Sequence, residues 1–170
     1  MTDIQSHPNF GNAYHRLRPA GREQPQKIDW AVYGEALEAA GLPPAGLRAL
    51  SWGRFSETQI AALTEGTTLI GVFDEAVFES LGKRHLFGRS PKYRLIDFGQ
   101  VRAFAAEDYV VEHHRLHKFC IEFNGYGGVL LGRLEWHVQA RRFADSRPEI
   151  MATAQERDRV LEAVDRILGS

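Results

Sequence analysis

Lys118-Phe119-Cys120-Ile121-Glu122-Phe123-Asn124-Gly125 alternates apolar and polar side chains and then reaches a turn signal. Phe119, Ile121 and Phe123 share one face; Lys118, Cys120 and Glu122 share the other. A period of two marks a half-buried strand. Asn124-Gly125, with Tyr126-Gly127-Gly128 behind it, tolerates the positive φ that tight hairpins need. Val129 to Val138 reads as the return strand. Leu130, Leu134, Trp136 and Val138 disturb its alternation, so a bulge is expected near Gly132.

Working upstream, Tyr93-Arg94-Leu95-Ile96-Asp97-Phe98 and Val101-Arg102-Ala103-Phe104 predict one strand bent at Gly99, or two short ones. Tyr109 to Val111 opens the next strand, carried into Glu112 to Leu116. Strands this close leave no room for crossover helices, which argues for antiparallel pairing. Earlier still, Thr67 to Phe73 is β-branched and apolar without a helical stripe. Ala76 to Leu81 follows as its partner, and His85-Leu86-Phe87 as a further short strand.

Downstream, Met151 to Leu168 predicts one amphipathic helix. Ile150, Ala154, Val160, Leu161, Val164, Ile167 and Leu168 form its apolar stripe. Glu156, Arg157, Asp158, Arg159, Glu162, Asp165 and Arg166 take the wet side, and Gly169 the C-cap. Isolated helices of this length are marginal in water, so the helix is expected to plug an open end of the sheet.

The chain before residue 66 reads differently. Residues 1–28 are polar and dotted with Pro and Gly, and predict a flexible arm. Phe10, Tyr14 and Leu17 suit one helical turn against the body. Residues 29–65 predict a helical preface. Asp29 caps a helix over Trp30 to Ala40 stopped by Gly41, and Ser56-Glu57-Thr58-Gln59 fits a capping box for Glu57 to Glu65. Residues 66–170 are left for the sheet and its helix.

Composition narrows the function classes. One domain is the default for 170 residues, and 44% hydrophobic residues suffice for a core. A net charge of -1 gives no global pull toward nucleic acid, so electrostatic function must be local. The single cysteine, Cys120, excludes an intrachain disulfide and a Cys-cluster metal site. No apolar run reaches the roughly 20 residues that span a bilayer, and Met1 to His7 lacks signal-peptide regions. A cytoplasmic protein is expected. The arginine and alanine bias suggests a GC-rich bacterial genome.

Strands at 67–73, 76–81, 85–87, 93–104, 109–117, 118–124 and 129–138 before a terminal helix form an order that resembles the pleckstrin-homology-like (PH-like) domains, bacterial ones included. The segments "TTLIGVF", "YRLIDFGQVRAF" and "ERDRVLEAVDRIL" carry it, over about residues 66 to 168. The resemblance implies an α+β fold: a partly open antiparallel β-barrel of about seven strands, capped by a C-terminal α-helix and preceded here by one or two short helices. It also implies a binding module for phospholipid headgroups, peptides or partner proteins, since a fold does not fix a function.

Lys83, Arg84, Arg89, Lys92 and Arg94 are the candidate ligand-binding or phosphate-binding residues. No acid interrupts residues 83–94, and guanidinium forks suit phosphate oxygens. In lipid-binding PH domains such a basic loop holds the headgroup; the plain alternative is a solvated loop. The expected partner is a protein or an anionic membrane surface at the inner face of the membrane, with a homo-oligomer as a further option. No cofactor, metal or nucleic acid is expected. The alternative is a small enzyme or ligand carrier around His114, Cys120 and His137, since a catalytic Cys needs a nearby His. His113, His114 and His117 look like a metal motif, but a third ligand such as Glu135 or His137 would have to converge from another strand.

Overall fold

The computed structural model describes residue 4 and residues 7–16, 30–56, 68–80, 93–111, 114–124, 130–138 and 147–169. Two helices come first: α1 (Pro8–Arg16) and α2 (Trp30–Ala40). Seven strands follow: β1 (Leu47–Ser56), β2 (Thr68–Phe73), β3 (Ala76–Ser80), β4 (Tyr93–Asp97), β5 (Val101–Val111), β6 (His114–Asn124) and β7 (Leu130–Val138). The last element is α3 (Arg147–Leu168). All strands pair antiparallel in one open sheet of order β4-β3-β2-β1-β7-β6-β5. The α+β architecture expected from the sequence is present and is compatible with a PH-like fold.

The two edge strands, β4 and β5, are neighbours in the chain. A 3-10 turn, Phe98–Gln100, joins them, with the Asp97 carboxylate accepting from Gly99 N. The sheet therefore curls until its edges meet at that turn. Its inner face holds Phe55, Ile70, Val72, Val77, Ile96, Phe119, Ile121 and Trp136, closed by Val160 and Val164 of α3. Its outer face, over β1 to β3, is covered by α1 and α2. There Leu50, Trp52, Leu69, Phe73 and Phe78 pack with Phe10, Ala13, Tyr33 and Leu37. Strands β1 to β3 are thus buried on both faces, which is why β3 is buried throughout.

The expected helical turn at Phe10 and Tyr14 is a nine-residue helix. Phe10 is 1% exposed, and Tyr14 sits edge-on to Trp30 at 5.0 Å and to Trp52 at 6.3 Å. Helix α2 matches its expected span, and Gly41 ends it at φ 73°, a conformation that suits glycine. Asp29, Leu17, residues 57–65 and residues 85–87 lie outside the described residues.

Strand β1 is not expected from the sequence. Leu47 faces the outer core and Ala49 the inner one, because a bulge falls between them. That shift, and burial on both faces, erase the alternation that would reveal a strand. The hairpin of β5 and β6 also differs from expectation. His114 to Asn124 is one strand that pairs with β5 up to Val111↔His114, so the chain does not break into two strands near residue 117. The bulge near Gly132 is present: Phe123 pairs with Gly132 and Asn124 with Leu130.

Strand β1 changes partner at Gly53. It pairs with β2 up to Gly53 and with β7 from Gly53 onward. A Cβ on Gly53 would lie 2.4 Å from the His137 carbonyl oxygen and 2.8 Å from Trp136 Nε1, so only glycine admits this approach. Trp52 stops one residue short of the β7 pairing, and Phe55 lies beyond the β2 pairing. Both amides would be orphaned in the interior. Glu156 of α3 accepts the Trp52 N–H, together with the Ser51 hydroxyl at 2.8 Å. Glu79 of β3 accepts the Phe55 N–H at 3.0 Å. Glu156, expected on the wet side of its helix, is 2% exposed, while Leu168, expected in the core, is 42% exposed.

Glu156→Leu leaves the Trp52 amide without its acceptor and the Ser51 hydroxyl with only its 3.2 Å bond to the Trp52 carbonyl. It is expected to lower stability by about 1–3 kcal/mol. Glu156→Gln, which keeps an acceptor, costs less, and urea unfolding followed by tryptophan fluorescence measures both.

Candidate functional site

Of the candidate cations, only Arg94 belongs to the described residues. Lys83, Arg84, Arg89 and Lys92 lie outside them. Arg94 stands on β4 opposite Glu79 of β3, and its guanidinium sits 5.9 Å from the centre of the Phe55 ring. It is half-buried. Arginine over an aromatic face is a cation–π contact, so part of Arg94 serves the sheet interior.

The ends of that hairpin are fixed. Ser80 pairs with Tyr93, so the connection carrying the other four cations leaves and re-enters the sheet at one point.

The histidine and cysteine candidates are also placed in part. The side chain of His114 lies outside the described residues, as does all of His113. His117 is 4% exposed. It shares a 2.6 Å contact between Nδ1 and Asp108 Oδ1, and Arg157 of α3 lies 3.2 Å from the same oxygen. Burial works against ionisation of Asp108, yet the His117 bond and the nearby Arg157 charge hold its carboxyl below the usual range. The trio pins α3 to the β5–β6 hairpin. Among the described residues, no group of three or more His, Cys, Asp or Glu is placed to hold a metal ion.

Cys120 and His137 share the outer face of β6 and β7. Cys120 lies opposite Glu135, and Lys118 opposite His137. They act in different contacts. Arg133 Nη2 donates to Cys120 Sγ at 3.0 Å. Burial and a hydrogen bond to Glu107 push the thiol up against the opposing Arg133 charge, the reverse of what a reactive thiolate requires.

His137 instead belongs to a chain of polar contacts across three strands. Its Nδ1 meets the Tyr109 hydroxyl at 2.7 Å, and its Nε2 lies 3.6 Å from Glu135 Oε2. Glu135 accepts from Lys118 Nζ at 3.0 Å, and that ammonium sits 5.3 Å from the Tyr109 ring centre. A neutral imidazole that accepts a hydrogen bond from the Tyr109 hydroxyl at Nδ1 carries its own proton on Nε2, which makes no hydrogen bond among the described residues. Burial of Tyr109, helped by the Glu135 charge, raises its hydroxyl well above the usual range. Burial lowers the His137 imidazole against the attraction of Glu135, and Lys118 adds to the lowering. Sequence reasoning singled out His137 and Glu135 but missed Tyr109 and Lys118. Tyr109 is two strands away, a juxtaposition that the β5–β6 register reveals and sequence spacing does not.

Among the described residues, two of the larger concavities lie elsewhere. A groove of about 780 Å³ runs between α1, the start of β1 and the end of α3, lined by Arg48, Asp74, Glu162 and Arg166 among others. Its charges pair: Arg48 grips Asp74 at 2.6 and 2.8 Å, and Arg166 reaches Glu162 at 2.6 Å. The Arg48 hydrogen bond holds the Asp74 carboxyl below its usual range. A second, of about 820 Å³, lies beside α2 against Leu37, Leu42, Pro43 and Pro44. Neither is lined by Arg94, Cys120 or His137.

No family model matches the chain, and comparison with curated proteins finds no significant relative.

A pH dependence follows from His137. Its imidazole titrates below the ordinary 6.5 in the folded chain, so the unfolded chain binds the proton first. This contribution is complete above the ordinary value and fades as pH falls through it toward the folded one. Unfolding free energy is expected to drop between pH 7 and 5, and His137→Gln to flatten that drop. Urea titrations across the range measure the slope.

Proposed function

We infer that the chain is a non-catalytic binding module of PH-like type that engages an anionic, phosphate-bearing surface. Lys83, Arg84, Arg89, Lys92 and Arg94 supply the cations. One observation carries this reading: Ser80 and Tyr93 are paired neighbours, so the basic connection begins and ends at the same end of the sheet. Four further cations belong to that connection, with no acid among residues 83–94, and with Arg94 they would supply a local positive charge on a chain of net charge -1.

The interior supports a scaffold over an enzyme. Three of its buried polar side chains meet structural partners: Glu156 and Glu79 hold strand amides, and His117 meets Asp108. Cys120 carries a raised thiol touched by Arg133, and His137 is 1% exposed. Neither has the features of an activated nucleophile or an accessible base. Among the described residues, no helix is long and apolar enough to cross a membrane, so the lipid version of this reading is a peripheral one.

A patch of this kind attracts through partly screened charge, so binding weakens with salt. Co-sedimentation with phosphatidylcholine vesicles, with and without anionic phospholipid, tests it. Binding is expected only to the anionic vesicles and is expected to fall steeply with added salt. Lys83→Glu, Arg84→Glu and Arg89→Glu together should abolish it. Unchanged binding by that triple variant removes the reading.

A further inference from the structure

Strand β5 runs eleven residues along one edge of the sheet and pairs, among the described residues, only with β6. Among the described residues, no strand pairs with its outer row of backbone N–H and C=O groups. Such an edge is a template for another strand, and proteins guard it with lysine, proline, bulges or a cover. β5 carries no Lys or Pro, and its one bulge lies at its start, between Val101 and Ala103. Ala103, Ala105 and Ala106 are exposed and small, so little side-chain bulk blocks approach. Val110 is 67% exposed. The other edge, β4, has only five residues.

We propose that β5 pairs antiparallel with β5 of a second copy of this chain, joining two sheets edge to edge. The charge pattern selects this occupant. Arg102 lies near the start of the strand, and Glu107 and Asp108 lie beyond its middle. A two-fold axis at Ala105 sets Arg102 of each copy opposite the second copy's Asp108, on the same face of the joined sheet. It sets Ala105 against its own counterpart and Phe104 opposite Ala106. Opposed residues in such a pair stand about 5 Å apart, close enough for the charges to interact. The strand is therefore complementary to itself in one register. This inference does not depend on the basic connection, and two linked copies would engage a surface bivalently.

Light scattering over a concentration series is the test, with hydrogen exchange alongside. The wild-type chain should reach twice the monomer mass, with alternate β5 amides gaining protection as the dimer forms. Ala105→Lys places two ammonium groups against each other at the axis and should return the mass to that of the monomer, with the circular dichroism spectrum kept. Arg102→Glu, a change away from the axis, sets a carboxylate opposite the second copy's Asp108 and should weaken the dimer, with added salt restoring part of the loss. A wild type that stays monomeric at its highest soluble concentration overturns the proposal. So does an Ala105→Lys chain that stays dimeric, or a dimer whose β5 amides exchange as in the monomer. Should Ala105→Lys fail to fold, the wild-type exchange pattern decides alone. Vesicle binding of monomeric Ala105→Lys separates the two readings: its retention leaves the surface-binding reading standing whatever the mass shows.

Discussion

Two buried carboxylates hold the place where one strand belongs to two halves of a sheet. β1 must leave β2 and join β7 within a few residues, and a backbone that changes neighbours leaves amides facing nothing. Glu156 reaches in from the last helix to take Trp52 N–H, and Glu79 reaches across from β3 to take Phe55 N–H. Gly53, lacking a side chain, leaves room for the crossing. An interior cannot leave such donors bare without a cost comparable to a lost hydrogen bond. The helix is therefore more than an apolar stopper: one of its acids completes the backbone bonding of the sheet it closes.

The same economy places the aromatic residues. Trp52 faces outward under α1, while Phe55 and Trp136 face inward, 5.6 Å apart. Neither set needs an exposed patch to be accommodated, because β1 offers a covered surface on each side. The early helices thus have a structural task. Without α1 and α2, the outward row of Leu50, Trp52, Leu69 and Phe78 would lie open.

The sequence shows some of this and hides the rest for identifiable reasons. The alternation of Phe119, Ile121 and Phe123 announces β6 because its other face carries the charged side chains of Lys118 and Glu122. β1 carries no such signature, since a bulge at its start shifts the phase and both its faces are dry. The stripe of α3 is legible at Val160 and Val164 but not at Glu156, whose partner is a strand amide far away in the chain. A helical wheel sorts an acid to the solvent side by default. The basic run at residues 83–94 is legible as charge alone. Tyr109 and Lys118 become neighbours of His137 only through the register of three strands, which a single sequence does not state.

The junction at Gly53 also sets an order of events in folding. The hairpins of β2–β3 and β5–β6 join residues close in sequence and need little loop closure, but Gly53 must wait for Val138, near the end of the chain. Contacts of that separation are the slow ones. Until β7 and α3 emerge, the first half of the sheet has an open flank, and the Trp52 amide lacks the Glu156 carboxylate that takes it. Closure is therefore a late, nearly simultaneous event in which strand, helix and carboxylate arrive together, and the kinetic barrier should lie there.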